Sequence, residues 1–420
     1  MSATRRTNPS LRTLLRAFLA LLLVPLSLAA QTSGGTDQVE IVGGGGGLTA
    51  RSADGNHALQ LGAAFQLRPM ATLLPEEEST DRLRAGFQAR RLQVNLQGHT
   101  FSPRWTFRLR LDSTNGSGVS AGFAWVGYQA EGGTSVRIGQ LKPAFLQEEL
   151  IPAIAQLAIE RSYTSDYFTT DFSHGLQVSQ RLSPRVSLIT TLHTGSYGWR
   201  TDYEPDRSEF ALAARSEWLL MSQDPAVGRG QFQEFQHWEG DPPALLLGIA
   251  LDYELGESSG RSGAPDVLKW TVDLTGKARG ITAHGALMGQ RMDATTPGSS
   301  SLPAKLDGAS QFGWVLQLSG FLVPTRWDAF VRMEGLDFDG VYFRMNQGSV
   351  DSGTRDLPAE ADLRIVTFGG SRYLSRQGLK LSLDLTHALD PVPVANPGVG
   401  LLGADHGGQS TLRSQIQLRF

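Results

Sequence analysis

Six arginines, Arg91, Arg108, Arg110, Arg137, Arg181 and Arg185, lie on the polar side of segments in which polar and apolar residues alternate. A wall of such guanidiniums would draw anions, because field lines concentrate in a narrow passage with low-dielectric sides. The same residues have a structural use, since inward Arg and acidic side chains pair and stiffen a sheet; Arg110 and Asp112, two apart on one face, suit such pairing. Signals for covalent chemistry are thin. Gly256–Gly260 fits the G-x-S-x-G pattern, but a nucleophile elbow needs a strand-to-helix turn, and this stretch is Gly/Ser-rich between two predicted strands. His174, His193, His284 and His387 stand singly in strands, without the paired spacing that metal binding requires. The expectation is therefore no catalytic residue, no cofactor and no metal.

The elements that must position the arginines are strands. In Arg91–Gln97, Leu92, Val94 and Leu96 share one face and Arg91, Gln93, Asn95 and Gln97 the other. Trp105, Phe107, Leu109 and Leu111 oppose Thr106, Arg108, Arg110 and Asp112, and near the end Leu379, Leu381, Leu383 and Leu385 oppose Lys380, Ser382, Asp384 and Thr386. Side chains alternate across a strand, so each segment has an apolar and a polar face. Sixteen such segments begin near 58, 84, 104, 121, 134, 174, 185, 209, 244, 266, 280, 311, 326, 361, 378 and 409. Their length suits tilted membrane strands of ~9–11 residues, and an even number suits a closed all-β transmembrane antiparallel barrel. A soluble β protein would have to bury all these apolar faces in one implausibly large core.

The first thirty residues read as an export address. Arg5, Arg6, Arg12 and Arg16 precede the short apolar run Ala17–Ala30, and a basic start, apolar middle and small-residue exit describe a signal peptide cleaved near Ala29 or Ala30. The leader holds four of the 38 basic residues and none of the 41 acidic ones, so 34 against 41 leaves a net charge of −7. That balance does not suit a nucleic-acid partner. There are no cysteines, so stability must come from hydrogen bonding and burial. Beyond the leader no apolar run approaches the length of a helical span. Residues 31–56, with the Gly43–Gly47 run, read as a flexible extension, because no Lys and Ser/Thr follow to make a phosphate loop. Residues 57–420 form the barrel, placed in the bacterial outer membrane.

Connections alternate between tight turns, such as Ser183-Pro184, and long polar loops, such as 221–243, 291–310 and 338–360. That alternation suits periplasmic turns and extracellular loops. Between Lys142 and Ser173 lies a different connection, with helical periodicity over Ala153–Ser162, long enough to fold into the lumen. Trp105, Trp125, Trp270, Trp314 and Trp327 are candidates for the interfacial aromatic girdle. The chain ends on a strand, Leu412–Phe420, whose terminal Phe420 resembles the assembly signal of outer-membrane proteins.

Several stretches resemble the phosphate-selective porin O and P family. FSPRWTFRLRLD (Phe101–Asp112) is similar to that family's early hairpin, and VRIGQLKPAFLQEEL (Val136–Leu150) with IERS (Ile159–Ser162) to its constriction loop. WDAFVRMEGLDF, FGGSRYLSRQGLKLSLDLTH and the final strand resemble its closing strands. The resemblance implies a sixteen-stranded porin, a homotrimer of separate pores with inward loops, an arginine ladder that draws anions and a lysine-rich constriction that binds phosphate. It implies Lys142, Glu148, Glu149 and Arg161 as constriction-loop residues. The implied partners are small hydrophilic solutes, inorganic anions such as phosphate among them, with outer-membrane lipid and the barrel-assembly machinery. Only five lysines are present, Lys142, Lys269, Lys277, Lys305 and Lys380, so a phosphate filter does not follow from their number. The alternative is a non-conducting outer-membrane barrel with a structural, adhesive or lipid-hydrolysing role.

Overall fold

The computed structural model describes residues 39–44, 47–114, 118–196, 208–224, 229–256, 265–293, 306–343, 354–358 and 361–420. The leader, Lys305 and most of the G-x-S-x-G stretch lie outside these. Within 31–56, expected as flexible, two short strands form, β1 (Val39–Gly44) and β2 (Gly47–Ser52). Strand pairing is made by the backbone and needs no alternating side chains, which is why β2 was not visible in the pattern.

The alternating segments become strands at the expected places. They are β3 (Ala58–Leu73), β4 (Leu83–Thr100), β5 (Ser102–Ser113), β6 (Ser120–Gln129), β7 (Thr134–Leu141) and β8 (Ser173–Arg181). Next come β9 (Val186–His193), β10 (Ser208–Ser222), β11 (Ala244–Gly256), β12 (Asp266–Ala278) and β13 (Ile281–Asp293). After β14 (Ser310–Val323) and β15 (Trp327–Asp337), a small separate hairpin is made by β16 (Val341–Phe343) and β17 (Thr354–Asp356). The last strands are β18 (Asp362–Ser375), β19 (Leu379–Ala388) and β20 (Gln409–Arg419).

Each strand from β3 to β20, the small hairpin aside, pairs antiparallel with its neighbour, and β20 pairs back onto β3, so sixteen strands close into a ring. A closed ring leaves no backbone donor unpaired in lipid, the condition any spanning sheet must meet. The burial pattern is the reverse of a soluble protein's. On β11, Leu251 is 54% exposed and its neighbour Asp252 is 0% exposed. Outward apolar side chains are left for lipid, and inward polar ones must find partners inside the ring.

Those inward partners fit only because some inward positions have no side chain. A Cβ at Gly122 would overlap the Asp112 carboxylate and crowd Arg110, and one at Gly248 would overlap the Arg215 guanidinium. Glycine there is the floor on which each charged pair lies flat against the wall.

Candidate functional site

The segment between β7 and β8 is held by inward side chains from strands all round the ring. Arg215 on β10 donates to the Phe145 carbonyl at 2.8 Å, and Asp252 on β11 accepts from Thr170 Oγ1 at 2.6 Å. Glu334 on β15 accepts from the Thr164 amide at 2.8 Å, and Asp384 on β19 from the Ile159 amide at 2.9 Å. From β3 and β4, Arg68, Arg90 and Arg91 each reach Glu160 at 2.7 Å. The helix expected over Ala153–Ser162 is not there. Helical turns occur instead at Gln147–Leu150 and Tyr163–Phe168, with a 3₁₀ turn at Ala153–Ala155. The physical reason lies in the wall: the Ile159 amide and the Glu160 carbonyl are bonded to Asp384 and Arg332, so they are not available to a helix.

A second segment approaches from the other rim. The connection 223–243, expected among the long extracellular loops, follows β10 and so leaves the ring on the rim of the short turns, such as 279–280. Lys277 Nζ donates to the carbonyls of Gln231 and Glu234, both at 2.6 Å, and of Gln236 at 3.0 Å. The two segments touch where the Phe235 amide donates to the Ala155 carbonyl and Gln147 Nε2 to the Phe232 carbonyl.

Between these segments and the wall from β4 to β10 lies a cavity of about 930 Å³, adjoined by another of about 770 Å³. Arg91, Arg108, Arg110 and Arg137 line the larger cavity with Lys142, Glu149 and Arg161. Arg181 and Arg185 do not: Arg181 is exposed at the end of β8, and Arg185 donates to the Leu219 and Ser222 carbonyls near the short-turn rim. Most lining charges are neutralised. Arg110 pairs with Asp112 at 2.8 Å, Arg161 with Glu149 at 3.3 Å, and Lys142 with Glu149 and, at 3.2 Å, Asp171. Glu148 is turned away from the cavity, accepting from the Ser162 amide and hydroxyl beside Arg332.

Arg108 and Arg137 differ. Among the described residues neither has a carboxylate within ion-pair distance. Arg108 lies over the Phe123 ring at 4.2 Å and Arg137 over Trp125 at 4.7 Å. Trp125 therefore belongs to the lumen and not to the outer girdle; Val126 and Tyr128, of opposite parity, carry the outward face of β6. Trp105 and Trp327 are exposed outside, as the girdle reading expects.

Two loop groups have shifted acidities. Burial favours neutral Glu160, yet Arg90, Arg91 and Arg68 hold its carboxyl well below the usual range. Burial pulls Lys142 down to about 7 against the opposing pull of Asp171, with Arg161 and Arg110 adding to the fall. The Glu160 cluster was missed in the sequence; the one available signal was its place in IERS, within the family-like stretch.

Residues 73–219 match the family model described as phosphate-selective porin O and P. Over that stretch the chain is similar to the family, and its closed sixteen-stranded ring is the architecture of outer-membrane β-barrels. The matched stretch takes in the early hairpin and the constriction-loop motifs and stops short of the C-terminal strands that also resemble the family. No curated protein sequence matches the chain. Among solved structures, an anion-selective porin from Comamonas acidovorans superposes with a TM-score of 0.57 at 12% identity, covering 87% of this chain and 100% of that one. Salmonella typhi OmpF, in complex with daunomycin, gives 0.57 at 10% identity, covering 87% and 98%. The outer-membrane channel DcaP of Acinetobacter baumannii gives 0.52 at 8% identity, covering 88% and 99%. At such identities these structures show a shared fold.

Proposed function

We propose that this chain is an outer-membrane porin, a passive, non-enzymatic diffusion pore that favours anions, its narrow section lying between the 142–172 segment and the β4–β8 wall. The reading is supported above all by Arg108 and Arg137, which face the cavity without carboxylate partners while the inward arginines around them are neutralised. A fixed positive charge with no counter-charge is what a mobile anion can neutralise in passing. Removal of the leader 1–30, recognition of Phe420 by the assembly machinery, insertion among outer-membrane lipids and assembly as a homotrimer complete the proposal. Single-channel recording of refolded protein in a KCl gradient tests it. Ohmic steps in threes with an anion-selective reversal potential are expected. A folded barrel that gives no steps would be a plugged scaffold, and steps without anion preference would remove the role of the two arginines.

A further inference from the structure

The wall that carries the two arginines without carboxylate partners is aromatic as well as basic, and Arg108 Nη2 there donates to Asn95 Oδ1 at 3.3 Å. Phe123 underlies both Arg108 and Arg110, Trp125 underlies Arg137, and Phe172 stands edge-on to Phe123 at 5.0 Å with Lys142 4.6 Å from its centre. Each ring covers one face of a guanidinium, fixing its plane and leaving its N–H edge for an acceptor. Three buried polar atoms have no hydrogen-bond partner there, Thr106 Oγ1, Arg108 Nε and Arg137 Nε, on neighbouring positions of β5 and β7. Gly127 sits between two of them: a Cβ there would lie 3.0 Å from Thr106 Oγ1 and 3.1 Å from Arg137 Cγ. On the loop side of the same cavity Leu150, Pro152 and Ala153 form an apolar stretch beside the paired Lys142, Glu149 and Arg161.

The described lysines already have partners. Lys142 is paired with Glu149 and Asp171, Lys269 with Glu254, Lys277 with three carbonyls, and Lys380 with the Gln156 carbonyl at 3.0 Å. A multiply charged inorganic oxyanion, hydrated on every side, would have to shed water against the apolar stretch Leu150, Pro152 and Ala153 with two guanidiniums in compensation. A singly charged carboxylate on a flat apolar body meets a matching surface at both ends.

Resting on the anion-pore reading above, we infer that the narrow section selects small organic carboxylates with a planar apolar body over inorganic phosphate. The carboxylate is held by the N–H edges of Arg108 and Arg137, and the body lies between the Phe123–Trp125 shelf and the loop.

The test is block of chloride current through the full-length porin by sodium benzoate, acetate and phosphate, each titrated in planar bilayers. Benzoate is expected to half-block at the lowest concentration. Trp125→Leu and Phe172→Leu, each checked for unchanged heat-modifiable mobility, should lower the benzoate-over-acetate ratio by about threefold. If phosphate blocks at the lowest concentration, or benzoate is no better than acetate, the inference is overturned while the anion pore stands. The same holds if the ratio survives both substitutions. Loss of anion preference in the unmodified protein overturns both.

Discussion

The two halves of the ring follow one pattern and come to opposite uses. On the strands from β10 to β20 the inward charges are matched at short range: Arg215 with Asp273 at 2.7 Å, Lys269 with Glu254 at 2.7 Å, and Arg413 with Asp384 at 2.7 Å. Over them pack Phe145, Tyr163, Tyr167 and Phe168 of the inward segment, together with Phe338, Tyr342, Val392 and Leu401 from later loops. On the strands from β4 to β9 no comparable apolar cluster forms among the described residues, and the cavity of about 930 Å³ remains against the arginines. Alternation alone therefore makes a wall, and the loops decide which part of that wall stays open.

That contrast can be broken most directly by reversing charge on the open half. Arg108→Glu with Arg137→Glu should invert the ionic preference, read as a change of sign of the reversal potential in a KCl gradient. Next in size is the Glu160 cluster, which ties the 142–172 segment to β3 and β4. Glu160→Gln leaves buried Arg68 and half-buried Arg90 and Arg91 around a neutral group, and losing one partner of a buried pair typically costs about 3–5 kcal/mol. The expected result is a lower temperature for the heat-induced mobility shift and noisier current, and an unshifted transition would mean the cluster does not hold the segment.

A smaller effect comes with pH. Lys142, pulled down to about 7, is charged below that pH and neutral above it, so anion preference should weaken as pH rises through about 7. Lys142→Arg keeps the charge and should flatten the profile between pH 6 and 8; a persistent slope would assign the titration to another group. The smallest change is expected from Arg181→Glu, which lies outside the cavity lining and should leave the reversal potential where it was. A shift as large as that from Arg108 would place Arg181 in the permeation path after all.

How much of this was legible follows from the physics of alternation. A residue's face is fixed by parity, so Leu251 against Asp252 and Arg108 against Leu109 could be read from the chain. Loop paths have no such rule. The 223–243 connection reads as polar, and nothing in it announces Lys277, which is 41 to 46 residues from the carbonyls it holds; the strand count alone tells which rim it leaves. Ala153–Ser162 has helical spacing, but Asp384 and Arg332 take the backbone groups a helix needs. Trp125 was assigned by residue type, and parity could not correct it, because Phe123 and Trp125 on one face of β6 and Val126 and Tyr128 on the other are all apolar. Glu160 was hidden because its three arginines come from β3 and β4, far off in sequence.

The β2–β3 hairpin bears on how the ring finds its closing register. β20 occupies one edge of β3 down to the reciprocal backbone bonds between Phe420 and Ala63, and β2 occupies the same edge from Leu61 onward, where Leu48 pairs. The two strands lie end to end like tiles on one course. Gly47 borders Leu61 and Gly62 so closely that even a Cβ would not fit, so a last strand sliding toward that rim would run into a hairpin already in place. A local hairpin thus stands as the stop against which a strand some 350 residues later is aligned.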